Sequence, residues 1–252
     1  SVLLWDVTHQ KISIDEANSP TSASGSGEWL VWIEESEGEV TITAGNVSSE
    51  TNRTVGGNPW ANAPNVVSSG VSFVVFDEYR TDYFEHNQES GVLQPIFIEN
   101  SDEPIIDIAI PTDSNGGKHL AILSPQSLRL IDTADQSIRI VDLDTNSLVV
   151  ASSGALVAIS ETSEVGPLVN ISSIESDLTI SIILDPRSSE RIENSILNSG
   201  TSLDFPNSSI VGLVMDSNWL VATVDVGPFN RTILVDTLSI NQTLISNPRW
   251  DS

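Results

Sequence analysis

The sequence has no cysteine among its 252 residues and few basic residues. The lack of cysteine excludes disulfides, thiolate zinc sites and cysteine nucleophiles. Ten Lys and Arg stand against 35 Asp and Glu, which gives a formal net charge of −25. A field of that sign repels nucleic-acid phosphates and anionic lipid headgroups, so neither is an expected partner.

Long apolar runs are missing as well. No stretch approaches the roughly 18 apolar residues that a membrane-spanning helix needs, so no membrane insertion is predicted for this segment. The opening residues, SVLLWDVTHQK, lack the basic and apolar regions of a secretion signal, and we expect any targeting or anchoring signal outside this sequence. Charged residues make up only 18% of the chain and apolar residues 39%, which favours a folded domain.

Helical periodicity is scarce, whereas short β-branched or alternating runs recur along the whole chain. Turn clusters such as DSNGG, DTADQ and DPRSSE separate them. The runs are EVTITA (39–44), SFVVF (72–76), PIIDIAI (104–110), HLAIL (119–123), SLRLID (127–132), SIRIVD (137–142), LTISIIL (178–184) and RTILVD (231–236). The sequence therefore predicts an all-β fold.

An apolar triplet repeats at intervals that match a structural unit. The triplets begin at Leu30, Val74, Leu120, Leu156 and Leu220, with offsets of 44, 46, 36 and 64 residues. A four-stranded propeller blade takes roughly 40 to 50 residues, so we predict a β-propeller of about five to six four-stranded blades. Tandem β-sandwich domains are the alternative, but they give no reason for a common spacing.

The spacing divides the chain into blade-like units within one propeller domain, residues 1–252. Because the sequence begins and ends partway through a unit, we expect either that the termini pair to close the ring or that the sequence is an excerpt of a longer chain. The long last interval requires an insertion or an extra degenerate blade in the fifth unit. The predicted units are 1–19 (a partial blade), 20–57, 58–103, 104–147, 148–205, 206–247 and 248–252 (the start of a further blade).

The triplets read as uninterrupted apolar runs, as in GEWLVWIEE and SNWLVATVD. A strand covered on both faces by neighbouring sheets loses its alternation of apolar and polar residues, which explains this pattern. We expect Trp29 and Trp219 to occupy equivalent positions as wedges between adjacent sheets.

The pattern of a proline, a Ser-Gly segment, an apolar strand ending in an aromatic residue and then acidic residues resembles Tol-type (PD40-like) β-propeller repeats. PTSASGSGEWLVWIEESEGEVTI (20–42) and PNVVSSGVSFVVFDEYRTDYF (64–84) carry this resemblance. GGKHLAIL and SSGALVAIS carry it more faintly. The resemblance implies a propeller used for binding or scaffolding in bacterial or archaeal envelope and cell-surface proteins.

Catalytic motifs do not occur. The chain has no G-x-S-x-G elbow and no H-E-x-x-H, and His9, His86 and His119 are far apart in sequence. We therefore nominate no catalytic residue and predict a protein that is not an enzyme. A carbohydrate-active enzyme with paired carboxylates in a propeller channel stays open as an alternative.

The densest polar segment, FDEYRTDYFEHNQE (76–89), is the candidate ligand-binding site. Aromatic rings beside carboxylates can stack on a sugar or bind a cation, which nominates Asp77, Glu78, Tyr79, Arg80 and Tyr83. The competing interpretation is a solvated hairpin on an acidic protein.

One segment resembles a calcium loop. In DLDTNS, the oxygen-bearing residues Asp142, Asp144 and Asn146 alternate, but the glycine and the distal glutamate of an EF-hand are missing. A β-turn is the competing interpretation. Calcium is thus the one candidate ion, and no other cofactor is predicted.

Six Asn-x-Ser/Thr sequons predict a glycoprotein. They begin at Asn46, Asn52, Asn170, Asn207, Asn230 and Asn241. We expect Asn46, Asn52, Asn230 and Asn241 at exposed turns of different units.

These observations predict a non-catalytic, extracellular β-propeller that serves as a scaffold or recognition module of a larger envelope or assembly protein. Its expected partners are a protein or glycan at the cell surface, other domains of its own chain, or further copies of itself. The alternatives from other classes are the carbohydrate-active enzyme, either a glycoside hydrolase or a lyase, and a subunit that self-assembles into a surface layer or filament.

Overall fold

The computed structural model describes most of the chain as β-strands and the turns between them. The described residues are 2–6, 11–15, 20–46, 51–57, 59–60, 62–85, 95–143, 147–163, 166–176, 179–184, 209–216, 219–225 and 230–237. They belong to two compact units, Ser1–Pro104 and Ile105–Ser252. No helix among these residues has the length and apolar character that crossing a lipid bilayer requires.

The first unit contains three antiparallel sheets. Strands β1 (Val2–Asp6) and β2 (Lys11–Asp15) form a two-stranded sheet. Four strands in chain order form the next: β3 (Pro20–Ser26), β4 (Trp29–Ser36), β5 (Glu39–Asn46) and β6 (Thr51–Gly57). The third sheet has the same order: β7 (Asn65–Ser69), β8 (Ser72–Phe76), β9 (Arg80–Glu85) and β10 (Phe97–Asn100).

The second unit repeats this arrangement. One four-stranded sheet consists of β11 (Asp107–Ala109), β12 (His119–Leu123), β13 (Ser127–Asp132) and β14 (Ile138–Asp142). Another consists of β15 (Val150–Ser153), β16 (Leu156–Ser163), β17 (Gly166–Ser173) and β18 (Thr179–Ile183). The described part of the last sheet has three strands: β19 (Ser209–Asp216), β20 (Trp219–Asp225) and β21 (Asn230–Asp236).

The prediction of an all-β chain built from four-stranded antiparallel sheets is confirmed. Each repeated triplet lies on the second strand of a sheet, namely β4, β8, β12, β16 and β20. The segments SFVVF, HLAIL and SLRLID are β8, β12 and β13 residue for residue. Strands β8 and β12 are buried over most of their length, as their continuous apolar runs predicted, whereas buried and half-buried residues alternate in β20.

The predicted alignment of the triplets is wrong by one residue in two of the five sheets. The hairpins between first and second strands set the true equivalence, because they pair Ser26 with Trp29, Ser69 with Ser72, Ser153 with Leu156 and Asp216 with Trp219. Leu30 therefore corresponds to Phe73 and Val157, not to Val74 and Leu156. Because both faces of these strands are apolar, composition does not reveal such a slip.

Apolar side chains pack between successive sheets within each unit. In the first unit, Val31 and Ile33 of β4 share one buried cluster with Phe73 and Val75 of β8 and with Phe84 of β9. In the second unit, one cluster joins the sheets β11–β14 and β15–β18, and another joins β15–β18 and β19–β21. Face-to-face packing of this kind leaves both faces of an inner sheet dry.

The first strands of successive sheets are joined by side-chain hydrogen bonds. Three serines of β3 accept backbone N–H groups from β7 or from the residue that follows it, each 44 residues further along the chain: Ser22 from Val66 (3.1 Å), Ser24 from Ser68 (3.0 Å) and Ser26 from Gly70 (2.8 Å). In the second unit, a carboxylate oxygen of Asp107 accepts the N–H of Val150 at 2.9 Å. These bonds supply partners for edge-strand donors that no neighbouring strand pairs.

Trp29 and Trp219 each begin the second strand of a sheet, at equivalent hairpin positions. Both are half-buried, and their role as wedges between adjacent sheets stays a prediction. The side chains that fill the space between sheets come from the positions that follow, such as Val31 and Leu220.

Candidate functional site

The predicted binding residues come together at the hairpin that joins β8 and β9. Asp77 lies at its start and is 4% exposed. One carboxylate oxygen accepts the N–H groups of Tyr79 (2.9 Å) and Arg80 (2.8 Å), and the other accepts that of Asn62 (3.2 Å). Asp77 therefore fixes the turn, as aspartates at the first position of turns commonly do.

Arg80 and Asp82 form a bidentate ion pair next to this turn. The Nε of Arg80 lies 2.8 Å from one oxygen of Asp82, and Nη2 lies 3.1 Å from the other. Burial raises the pKa of the Asp82 carboxyl, and the Arg80 guanidinium acts in the opposite direction. Each group thus supplies the hydrogen-bond partner and the opposite charge that the other needs at this partly buried position.

The two tyrosines of the segment lie in different environments. Tyr83 is buried, and its hydroxyl donates to Glu85 (2.6 Å) and lies 3.1 Å from the Ser72 hydroxyl. Tyr79 is exposed, and a hydrogen bond and the negative charge of Glu78 raise its pKa. Of the predicted ligand-binding residues, Tyr79 presents the most accessible aromatic ring.

For most residues of this segment, these contacts therefore support the interpretation as a structural hairpin over that of a ligand-binding site. Their polar atoms stabilise the turn and the strand pair, which leaves few of them to bind a ligand. His86 and Glu89, which complete the predicted segment, lie outside the described residues.

The candidate calcium residues are only partly described. Asp142 ends β14 and is exposed, while Asp144 and Asn146 lie outside the described residues. Within the part of the chain that the structure describes, no three His, Asp or Glu side chains are grouped so that they could hold a metal ion.

His119 contacts a loop carboxylate. Its Nε2 lies 3.4 Å from Asp113, whose other oxygen accepts the N–H groups of Gly117 (2.7 Å) and Asn115 (2.8 Å). The bond from Gly117 is the main cause that lowers the pKa of Asp113. The cluster closes the loop between β11 and β12, and His9 and His86 lie outside the described residues.

The sequons occupy varied positions. Asn46 ends β5 and Asn230 begins β21, both beside a connection. The prediction of a turn at Asn52 is wrong, because this residue lies in β6 and pairs with Gly45. Asn170 lies within β17 and accepts a hydrogen bond from Ser181 (2.6 Å). Asn207 and Asn241 lie outside the described residues.

Sequence reasoning missed a surface along β14. All five residues of this outer strand are exposed, including Ile138 (55%), Ile140 (61%) and Val141 (40%). Beside it lies a cleft of about 290 Å³ between the sheets β11–β14 and β15–β18. The sequence signal for this surface is SIRIVD, whose apolar residues predict a strand but do not show which side chains are covered.

Comparisons with known proteins find similarity in fold but not in sequence. No family model and no curated protein sequence matches the chain. The β-propeller domain of Cps50 (Swd1) from Myceliophteria thermophila superposes with a TM-score of 0.57 at 11% identity, covering 91% of this chain and 74% of that one. A Lactobacillus plantarum protein gives a TM-score of 0.54 at 10% identity, covering 93% and 76%.

The WD40 domain of Toxoplasma gondii coronin is similar as well, with a TM-score of 0.51 at 9% identity, covering 84% of this chain and 58% of that one. At such low identities these likenesses establish the fold and nothing further. The predicted β-propeller is confirmed. The resemblance to Tol-type repeats stays a prediction, because no family model matches.

Proposed function

We propose that this chain is a non-catalytic recognition module, a β-propeller that binds a protein or glycan partner as part of a larger cell-surface or envelope protein. The observation that carries the proposal is a contrast between two surfaces. The polar groups of the β8–β9 hairpin are engaged in internal hydrogen bonds, whereas the apolar side chains of β14 face solvent.

The charge of the chain supports the same role. A net charge of −25 disfavours polyanionic partners and favours basic ones. The acidity, the six sequons and the Tol-type resemblance motivate the proposed extracellular location. Attached glycans would give this protein a further solvated surface.

Two measurements on material from the native source test the proposal. Antibodies against the chain should label intact cells without permeabilisation, and the intact mass of the purified protein should exceed the sequence mass by whole glycans. Labelling that appears only after permeabilisation would contradict the surface location.

Catalysis is tested separately. The purified chain, incubated with a panel of acidic and neutral polysaccharides, should produce no new reducing ends and no unsaturated products. Turnover that tracks the protein through purification and is lost on heating would overturn the non-catalytic role in favour of a carbohydrate-active enzyme.

A further inference from the structure

The outer strand β14 is more exposed than β10 and β18, the other outer strands whose side-chain burial the structure describes. In β10 the residues alternate between half-buried and exposed, and in β18 Ile182 is buried. Every residue of β14 is exposed, and among the described residues this strand pairs only with β13. Exposed apolar edge strands are rare in soluble proteins, because their free backbone groups pair readily with another chain.

The cleft beside β14 reaches the buried core of the second unit. Leu128 and Leu130 of β13, and Val157 and Ile159 of β16, line it and are themselves buried. Val141 pairs with Leu128, so its side chain lies on the same face of the sheet as the cleft. An apolar side chain placed opposite Val141 would lie on this face of the sheet, beside Val141 at the outer edge of the cleft.

A smaller cleft of about 220 Å³ continues the cavity toward the other end of β14. It shares Leu130, Arg139 and Ile174 with the larger one and is also lined by Ile138. We call the two clefts together with the free edge of β14 the β14 groove. Its length matches an extended segment of about five residues, because a strand rises about 3.3 Å per residue.

The carboxylates at the ends of the β14 groove favour a partner with basic residues. Asp132 lines the smaller cleft, Asp135 lies in the exposed hairpin before β14, and Asp142 ends the strand. A chain with a net charge of −25 repels a second copy of itself but attracts basic residues placed near these carboxylates.

We propose that the β14 groove binds an extended peptide segment of another protein, which adds as a fifth strand to β14, inserts an apolar side chain beside Val141 and carries basic residues at both ends. This inference rests on the proposed recognition function and names the surface and partner chemistry that serve it. Strand addition supplies backbone hydrogen bonds, and the cleft supplies selectivity for the inserted side chain.

The test uses the octapeptide KKLVTVKK with a fluorescent label and the full chain. Paired antiparallel to β14, its leucine lies opposite Val141, its two valines lie opposite Ile140 and Ile138, and its lysines flank the strand. We expect saturable binding by fluorescence anisotropy that weakens as salt is raised from 50 to 500 mM, as for a charge-assisted complex. Methylation of the backbone nitrogens on the pairing edge should abolish binding, because it removes the N–H donors and blocks the strand approach.

The variant Val141→Glu separates specific docking from general charge attraction. It adds a negative charge, so nonspecific attraction of the basic peptide would become stronger. Docking into the groove loses apolar contacts, and affinity should fall by about tenfold or more. Ile98→Glu is the matched control on β10, with similar exposure and the same charge change, and it should leave affinity within about twofold.

Any of the following results would overturn the proposal: no saturable binding, unchanged or stronger binding to the Val141→Glu variant, or equal binding of the N-methylated peptide. Concentration-dependent self-association in sedimentation that Val141→Glu abolishes would also overturn it, because the occupant would then be a second copy. Failure of the β14 groove alongside confirmed surface recognition would leave the proposed function intact and place its binding site elsewhere.

Discussion

The hydroxyl of Ser24 on β3 accepts a hydrogen bond from the backbone N–H of Ser68 on β7, and the hydroxyls of the two serines lie 3.0 Å apart. The pair joins the first strands of two successive sheets, 44 residues apart. Within the first unit, the sequence repeat is thus a repeat of whole sheets whose first strands are in contact.

Replacing Ser24 by alanine should destabilise the protein. The N–H of Ser68 would lose its acceptor in a partly buried interface, at a cost of about 1–2 kcal/mol in the free energy of unfolding. Urea denaturation measures the effect. Ser36→Ala at the exposed end of β4 is the matched control and should change stability by less than about 0.5 kcal/mol. Equal effects of the two substitutions would show that the contact between β3 and β7 adds no stability.

The β3 strand also shows where sequence reasoning stops. PTSASGS has the composition of a loop, and its serines have no local apolar pattern, yet it forms a seven-residue strand. It pairs with the adjacent β4, but the partners of its serine hydroxyls lie 44 residues away, so no local window contains that part of the information. In contrast, SFVVF and HLAIL were predicted to the residue, because a fully buried strand carries its signal in its own composition.

The sequence likewise predicted the location of the candidate site but not the contacts that its residues make. Composition located the dense polar hairpin around Asp77, but it did not show that the carboxylate accepts three N–H groups of its own chain. It also missed the β14 groove, because exposure of Ile140 depends on what the neighbouring sheets cover and not on the residues of the strand.

Removing the guanidinium of Arg80 should lower the free energy of unfolding by more than a typical surface substitution does. Asp82 is 2% exposed, and without Arg80 its charge would be buried with no cation beside it. We expect Arg80→Ala to lower the free energy of unfolding by about 2–3 kcal/mol in chemical denaturation. The double variant Arg80→Ala with Asp82→Asn should recover much of this loss, and no recovery would mean that Arg80 acts through packing alone.

The contribution of Asp82 and Asp107 to the free energy of unfolding should rise as the pH is lowered from neutral. Burial raises the pKa of Asp82 and of Asp107 above their ordinary value of 3.8. The folded state therefore binds protons at a higher pH than the unfolded chain. The stabilisation is complete below 3.8 and is lost as the pH rises through the folded values.

The variant Asp107→Asn isolates the contribution of Asp107 to the pH dependence of stability. The high net charge of the chain affects the variant and the wild type almost equally, so it cancels in the comparison. The variant loses one acceptor for the N–H groups of Ile108 and Val150, but it has no charge to bury. Its melting temperature should therefore vary less with pH between about 4 and 7 than that of the wild type. An unchanged pH slope would contradict a raised pKa at Asp107.

The stacked rings of Phe73 and Phe84 should be a main determinant of stability in the first unit. Their centroids lie 4.9 Å apart at an interplanar angle of 6°, and both side chains are fully buried. Phe84→Ala should cost about 3–5 kcal/mol in the free energy of unfolding, from lost burial and the cavity left behind. Val71→Ala in the exposed turn before β8 is the control and should cost less than about 0.5 kcal/mol.

The most direct test of the sheet-to-sheet repeat uses the absence of native cysteine, which makes any introduced pair of thiols unique. Ser24→Cys with Ser68→Cys places two thiols where hydroxyls now lie 3.0 Å apart. Ser36→Cys with Ser68→Cys is the control, since Ser36 lies about 17 Å further along β4 than the residue opposite Ser24. Under mild oxidation the first pair should form an intramolecular disulfide in the native protein but not in urea. Loss of free thiols and faster electrophoretic migration without reductant detect this disulfide. Native cross-linking no faster than in urea, or no faster than in the control pair, would contradict the arrangement of successive sheets through their first strands.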